Sequence, residues 1–182
     1  GCGRRELEGP SGGFFGGSVG SAGDVNDDGV PDVIVGALSA ETTGRVYVYS
    51  GSDWSLLHEL SGVQPGERFG RCVDGAGDVD GDGHADLLIG ASLNDDIGEN
   101  HGAVMLSSGA TGAELYRFYG DDDTDVLGDR VCGLGDVNGD GYADFAASAP
   151  GDDDFGSGSG SVRVYLSGLV ACNAADLVEP WG

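Results

Sequence analysis

Three acidic stretches share one oxygen spacing: Asp24-Val-Asn26-Asp-Asp28-Gly-Val30-Pro-Asp32, Asp78-Val-Asp80-Gly-Asp82-Gly-His84-Ala-Asp86 and Asp136-Val-Asn138-Gly-Asp140-Gly-Tyr142-Ala-Asp144. Each places carboxylate or carboxamide oxygens at positions 1, 3, 5 and 9, with glycine at position 6 to let the backbone turn sharply behind them. Alternate side chains on a tightly curled loop converge on one point. With the backbone carbonyl of position 7 (Val30, His84, Tyr142) and a water they supply the six to eight oxygens that Ca²⁺ prefers, in a geometry too flexible for Mg²⁺. The reading is three Ca²⁺ sites. An EF-hand is excluded, because its bidentate Glu would fall at position 12, where Val35, Ile89 and Ala147 stand.

The elements that position these loops follow from what flanks them. Each loop runs into an apolar β-type stretch, Asp32–Ala37, Asp86–Ala91 and Asp144–Ala149, so it joins strands. The loops recur 54 and 58 residues apart (24 to 78, 78 to 136), a propeller-blade period rather than that of a helical solenoid. A first strand is expected before each loop at Phe15–Val19, Phe69–Val73 and Leu127–Val131. A third is expected within Gly44–Gly51, Gly102–Gly109 and Gly160–Gly168. Fourth strands are expected at Ser55–Leu60 and Glu114–Tyr119. The third unit lacks a convincing one, while residues 4–9 read as an outer strand supplied ahead of the first unit.

The expected fold is therefore all-β, with three four-stranded antiparallel propeller blades at about 14–62, 68–120 and 126–168 inside a segment 1–168, and a tail at 169–182. With 37 glycines in 182 residues and no Gly-X-Y period, the composition fits a turn-dense β fold and excludes collagen. The formal charge is −24, and the eight basic residues are all arginine, which removes any nucleic-acid footprint. Three bound Ca²⁺ still leave about −18 by charge at occupied sites. No membrane-inserting segment is visible. Cys2, Cys72, Cys132 and Cys172 show no zinc or redox spacing. Weak extracellular calcium modules would stand empty in cytosol, so a secreted or cell-surface setting is expected. The chain opens on Gly1, which suggests a removed leader or an excised fragment.

Phe-Gly, then the acidic loop, then Gly-Ala, then Gly-x-Val-Tyr-Val-Tyr-Ser-Gly resembles the FG-GAP repeat of integrin α-chain β-propellers and their bacterial relatives. The motif stands as Phe15-Gly16 with Gly36-Ala37 and as Phe69-Gly70 with Gly90-Ala91. The third copy departs, with Leu127-Gly128 and Ser148-Ala149. The resemblance implies four-stranded blades, calcium between strands one and two, and an extracellular protein or glycan ligand on the opposite face. There the acidic residues Asp95, Asp96, Glu99, Asp121–Asp123, Asp125 and Asp152–Asp154 gather by topology. The chain carries no nucleophile elbow, zincin motif or P-loop, so a non-catalytic adhesion module is expected. The alternative is a scaffold within a secreted phospholipase or polysaccharide-degrading enzyme. Three blades alone would leave two faces bare, so missing blades or self-association are expected, and a Cys2–Cys172 bridge would staple the ends in the self-closing case.

Overall fold

The computed structural model describes residues 3–168; the tail at 169–182 and the Cys2–Cys172 pairing lie outside them. Eleven strands form three antiparallel sheets in sequence order. The first holds β1 (Phe15–Gly23), β2 (Asp32–Ala37), β3 (Arg45–Tyr49) and β4 (Leu56–Ser61). The second holds β5 (Phe69–Gly77), β6 (Asp86–Ala91), β7 (Ala103–Ser107) and β8 (Glu114–Tyr119). The third holds β9 (Val131–Gly135), β10 (Asp144–Ala149) and β11 (Ser161–Tyr165).

The observed strands differ from the expected bounds in places. Residues 4–9 form no strand, and the third sheet has three strands among the described residues, the rest of that unit lying outside them. Leu127–Arg130 also precede β9 rather than belonging to it; Leu127 makes only an isolated bridge to Gly102.

Successive sheets stack through two apolar layers. Ile34, Val46 and Val48 of the first meet Phe69, Val73, Ile89 and Met105 of the second. Leu88, Val104 and Leu106 of the second meet Val131, Phe145, Ala147 and Tyr165 of the third. Side chains alternate across each strand, so one face of a sheet packs backward and the other forward. Phe118 bridges the second junction, with ring centroids 4.5 Å from Tyr165 and 5.7 Å from Phe145. Phe15, Tyr47 and Tyr49 instead cluster within the first sheet.

Glycine sets how closely the sheets approach. A Cβ at Gly36 would stand 2.2 Å from the Gly70 carbonyl oxygen, and one at Gly90 would stand 2.1 Å from that of Gly128. Gly70 and Gly128 hold φ of 81° and 86°, which turns those carbonyls toward the preceding blade. The Gly-Ala of one repeat and the Phe-Gly of the next are thus two halves of one contact. Val19 is 66% exposed where its equivalents Val73 and Val131 are buried under the preceding blade. Val162 and Val164 are likewise exposed on the far side of the third sheet. Both end faces are therefore bare among the described residues.

Candidate metal centre

Each acidic loop leaves the first strand of its sheet and returns into the second, and its curl is written by the acidic side chains themselves. In the second loop, Asp78 accepts the Gly81, Asp82 and Gly83 N–H groups at 2.7, 3.1 and 3.0 Å. Asp80 accepts that of Asp82 at 3.1 Å, and Asp82 accepts that of His84 at 2.9 Å. The third loop repeats the pattern from Asp136, Asn138 and Asp140, and the first does so from Asp24, Asn26 and Asp28 with one bond fewer. Position 6 (Gly29, Gly83, Gly141) has φ of 81°, 93° and 95°, the left-handed backbone the spacing demanded.

The position 9 aspartates have a structural job that sequence reasoning missed. Asp32, Asp86 and Asp144 are at most 1% exposed. One oxygen of each accepts the N–H of loop position 2 (Val25, Val79, Val137) at 2.8 to 2.9 Å. The other accepts an N–H from the turn after the third strand: Gly51 at 2.9, Gly109 at 3.0 and Ser167 at 2.8 Å. Each carboxylate therefore pins the loop to that turn and fixes both on one face of the sheet. The available signal was its place as the last loop oxygen before a fully buried strand.

In the second loop, ligand atoms of Asp78, Asp80 and Asp86 lie within 4.8 Å of one another; Asp82 stands outside that trio. The first and third loops have Asn at position 3. All side-chain donors in these ladders are oxygens, which suits a hard cation and not zinc or copper. Burial pushes the Asp86 carboxyl up to about 6, against the pull of the Gly109 and Val79 N–H groups. A dication beside it would favour the ionised form, so filling this loop is linked to proton release. The Asp136 carboxyl is held below the usual range, chiefly by the Gly141 N–H. Asp28 is held low by the Ser52 hydroxyl, which donates to it at 2.8 Å.

His84 has Nδ1 2.8 Å from the Val25 carbonyl oxygen of the neighbouring loop.

The opposite face carries the acidic connections, and much of that acid is structural. Glu67, 1% exposed, accepts the Asn94 amide at 2.7 Å and the Gln64 N–H at 3.1 Å. Asp125 occupies the equivalent place two residues before Leu127, accepts the Asp121 and Asp122 N–H groups, and pairs with Arg163 at 3.2 Å. Arg163 also reaches Asp121 at 3.0 Å, and Asp152 bonds the Ser161 hydroxyl. Asp122, Asp123, Asp153 and Asp154 stay exposed.

His101 is buried between the Gly120 carbonyl (Nδ1, 3.0 Å) and the Asp123 carboxylate (Nε2, 3.0 Å). Both partners only accept, so both bonds require the imidazolium. The Gly120 carbonyl first, then Asp123 and Asp125, raise its pKa above the ordinary 6.5 against the opposing effect of burial. A raised folded value means the contribution to stability is complete below pH 6.5 and is lost as pH climbs through the folded pKa. The His101 ring in an NMR titration is expected to titrate above 6.5, and Asp123→Asn is expected to lower that value. Titration at or below 6.5 in the wild-type chain would refute the clamp.

Repeated antiparallel sheets, stacked through paired glycine contacts and each carrying an acidic loop between its first two strands, define a β-propeller repeat protein. The chain belongs to the FG-GAP repeat family: residues 24–89 match the FG-GAP-like repeat, and residues 74–105 and 128–165 match the FG-GAP repeat. It is 36% identical to integrin alpha-4 of Xenopus laevis over 160 residues, covering 85% of this chain and 15% of that protein. It is 31% identical to integrin alpha-V of Gallus gallus over 171 residues, covering 88% of this chain and 16% of the relative. Against integrin alpha-PS2 of Drosophila melanogaster it is 35% identical over 150 residues, 75% of this chain and 10% of the relative. The chain thus spans between a tenth and a sixth of the length of these relatives. No helix among the described residues is long and apolar enough to cross a membrane.

Proposed function

We propose that this chain is a calcium-stabilised, non-catalytic FG-GAP propeller segment that serves adhesion or ligand binding on a secreted or cell-surface protein. The observation that carries the reading is the repetition of one oxygen ladder on one face of three successive sheets, with Asp78, Asp80 and Asp86 converging in the middle copy. The proposed ligands are Asp24, Asn26, Asp28, Asp32 and the Val30 carbonyl for the first ion. For the second they are Asp78, Asp80, Asp82, Asp86 and the His84 carbonyl, and for the third Asp136, Asn138, Asp140, Asp144 and the Tyr142 carbonyl. The similarity to integrin alpha chains supports the adhesive role. The bare end faces are sites for further blades or for a second copy.

The partner is an extracellular protein or glycan. A protein partner docks through basic residues against Asp122, Asp123, Asp153 and Asp154, since attraction between exposed charges is screened within about 8 to 10 Å at physiological salt. An array of matrix proteins and glycans, run beside a phospholipase and polysaccharide-hydrolase panel, is expected to give binding without turnover. Raising the salt is expected to weaken a protein complex. Turnover on the panel would overturn the non-catalytic reading. A hydrogen-exchange footprint confined to the calcium-loop face would overturn the docking site.

A further inference from the structure

The second and third acidic loops are each hydrogen-bonded to the loop before them. Ala85, between His84 and Asp86, donates its N–H to the Asp24 carbonyl oxygen at 2.9 Å. His84 Nδ1 lies 2.8 Å from the Val25 carbonyl oxygen; a carbonyl only accepts, so Nδ1 carries the proton. Val25 in turn donates its own N–H to Asp32 at 2.8 Å. Positions 1 and 2 of the first loop are thereby fixed to positions 7 and 8 of the second, in the midst of both ligand sets. The next junction is looser. Ala143 donates to the Asp78 carbonyl oxygen at 3.4 Å, and in place of a histidine Tyr142 lays its ring beside Gly81, where a Cβ would come within 3.1 Å of it.

We propose that ion binding at the first and second loops is positively cooperative, with His84 as the residue that couples them, and that the second and third loops are coupled more weakly. The inference rests on the reading of the loops as calcium sites. An ion in the first loop orders the Asp24–Val25 backbone, which holds His84 and Ala85 through two hydrogen bonds. Less ordering is then left for the second ion to impose, and this is the physical content of positive coupling between the sites. By reciprocity, an ion in the second loop strengthens the first by the same factor. His84 acts here through its ring alone, because the ligand at position 7 is a backbone carbonyl that any residue supplies.

The test is a calorimetric Ca²⁺ titration of the full chain with the third loop silenced by Asp140→Asn. Two ions are expected, the second loop binding about fivefold more tightly than it does in Asp28→Asn/Asp140→Asn, the change that one net hydrogen bond gives. Adding His84→Ala is expected to keep both ions and erase the difference. The reciprocal arm, loop one measured with and without Asp82→Asn, is expected to give the same factor. It keeps the proposal testable should His84→Ala disturb the fold. Equal affinity of each loop with and without its neighbour would overturn the coupling while leaving the calcium reading intact. Coupling that survives His84→Ala would overturn the role of that residue. A chain that binds no Ca²⁺ at all would overturn the calcium reading and the coupling with it.

Discussion

Chelating calcium is expected to lower the melting temperature by roughly 10–20 °C. The figure follows from mass action: sites with a dissociation constant of about 0.1 mM, bathed in about 2 mM Ca²⁺, each add about 1.8 kcal/mol. Three such sites sum to about 5 kcal/mol, and a domain of this size shifts by about 2–4 °C for each kcal/mol. The direction has a structural reason. Each loop crowds three or four carboxylates, and Asp32, Asp86 and Asp144 are buried as well. Charges so placed repel one another until a cation is present. Differential scanning fluorimetry in millimolar Ca²⁺, in Mg²⁺ and in EDTA measures the effect. Asp82→Ala and Asp140→Ala are each expected to remove one site. Asp27→Asn is expected to remove none, since Asp27 lies outside the ladder and its φ of 57° is one that Asn tolerates. Identical melting in Ca²⁺ and EDTA would sink the calcium reading.

Substituting Val for Gly90 is expected to cost about 3–5 kcal/mol, at the severe end of single substitutions. The Cβ alone would stand 2.1 Å from a backbone carbonyl oxygen, and the two methyl groups have nowhere to go unless the second and third blades part. Gly36→Val, facing Gly70 at 2.2 Å, is expected to behave alike at the first junction. The third blade supplies an internal control. Ser148 occupies the equivalent position and already carries a Cβ on a face with no blade against it among the described residues. Ser148→Val should cost only about 1 kcal/mol, the value of the hydrogen bond its hydroxyl accepts from the Arg130 N–H. Urea denaturation in saturating calcium measures all three. Comparable losses at Gly90 and Ser148 would refute the interlock.

One part of the fold was legible in the sequence and another was not. The second strands, Asp32–Ala37, Asp86–Ala91 and Asp144–Ala149, form where expected, because a strand buried on both faces is an unbroken apolar run with a loop at its start. The first strands were cut short. β1 continues through Gly20, Ser21, Ala22 and Gly23, residues whose propensities read as a turn. They stay extended because β1 lies against β5 and only small residues fit there: a Cβ at Gly20 would meet the Val73 carbonyl oxygen at 3.0 Å. That constraint comes from a neighbour some 50 residues away and leaves no local pattern. The acidic loops were readable as oxygen ladders because the oxygens belong to one short stretch. The pinning role of Asp32, Asp86 and Asp144, the buried Glu67 and Asp125, and the reach of His84 to Val25 all depend on partners from other turns. The recurrence of an acid two residues before Phe69 and Leu127 hinted at the role of Glu67 and Asp125. Residues 4–9 carry too little β-forming sequence to supply a strand.

The loop-to-loop bonds all run in one direction, from an N–H in the later repeat to a carbonyl in the earlier one, Ala85 to Asp24 and Ala143 to Asp78. Each of the first two sheets is closed by contiguous chain, Phe15–Ser61 and Phe69–Tyr119. During synthesis each of these blades can therefore be complete, with its acceptor carbonyl displayed, before the donor that will use it has been made. Growth from the N-terminal end is the expected order, each finished unit offering its successor a surface to form against.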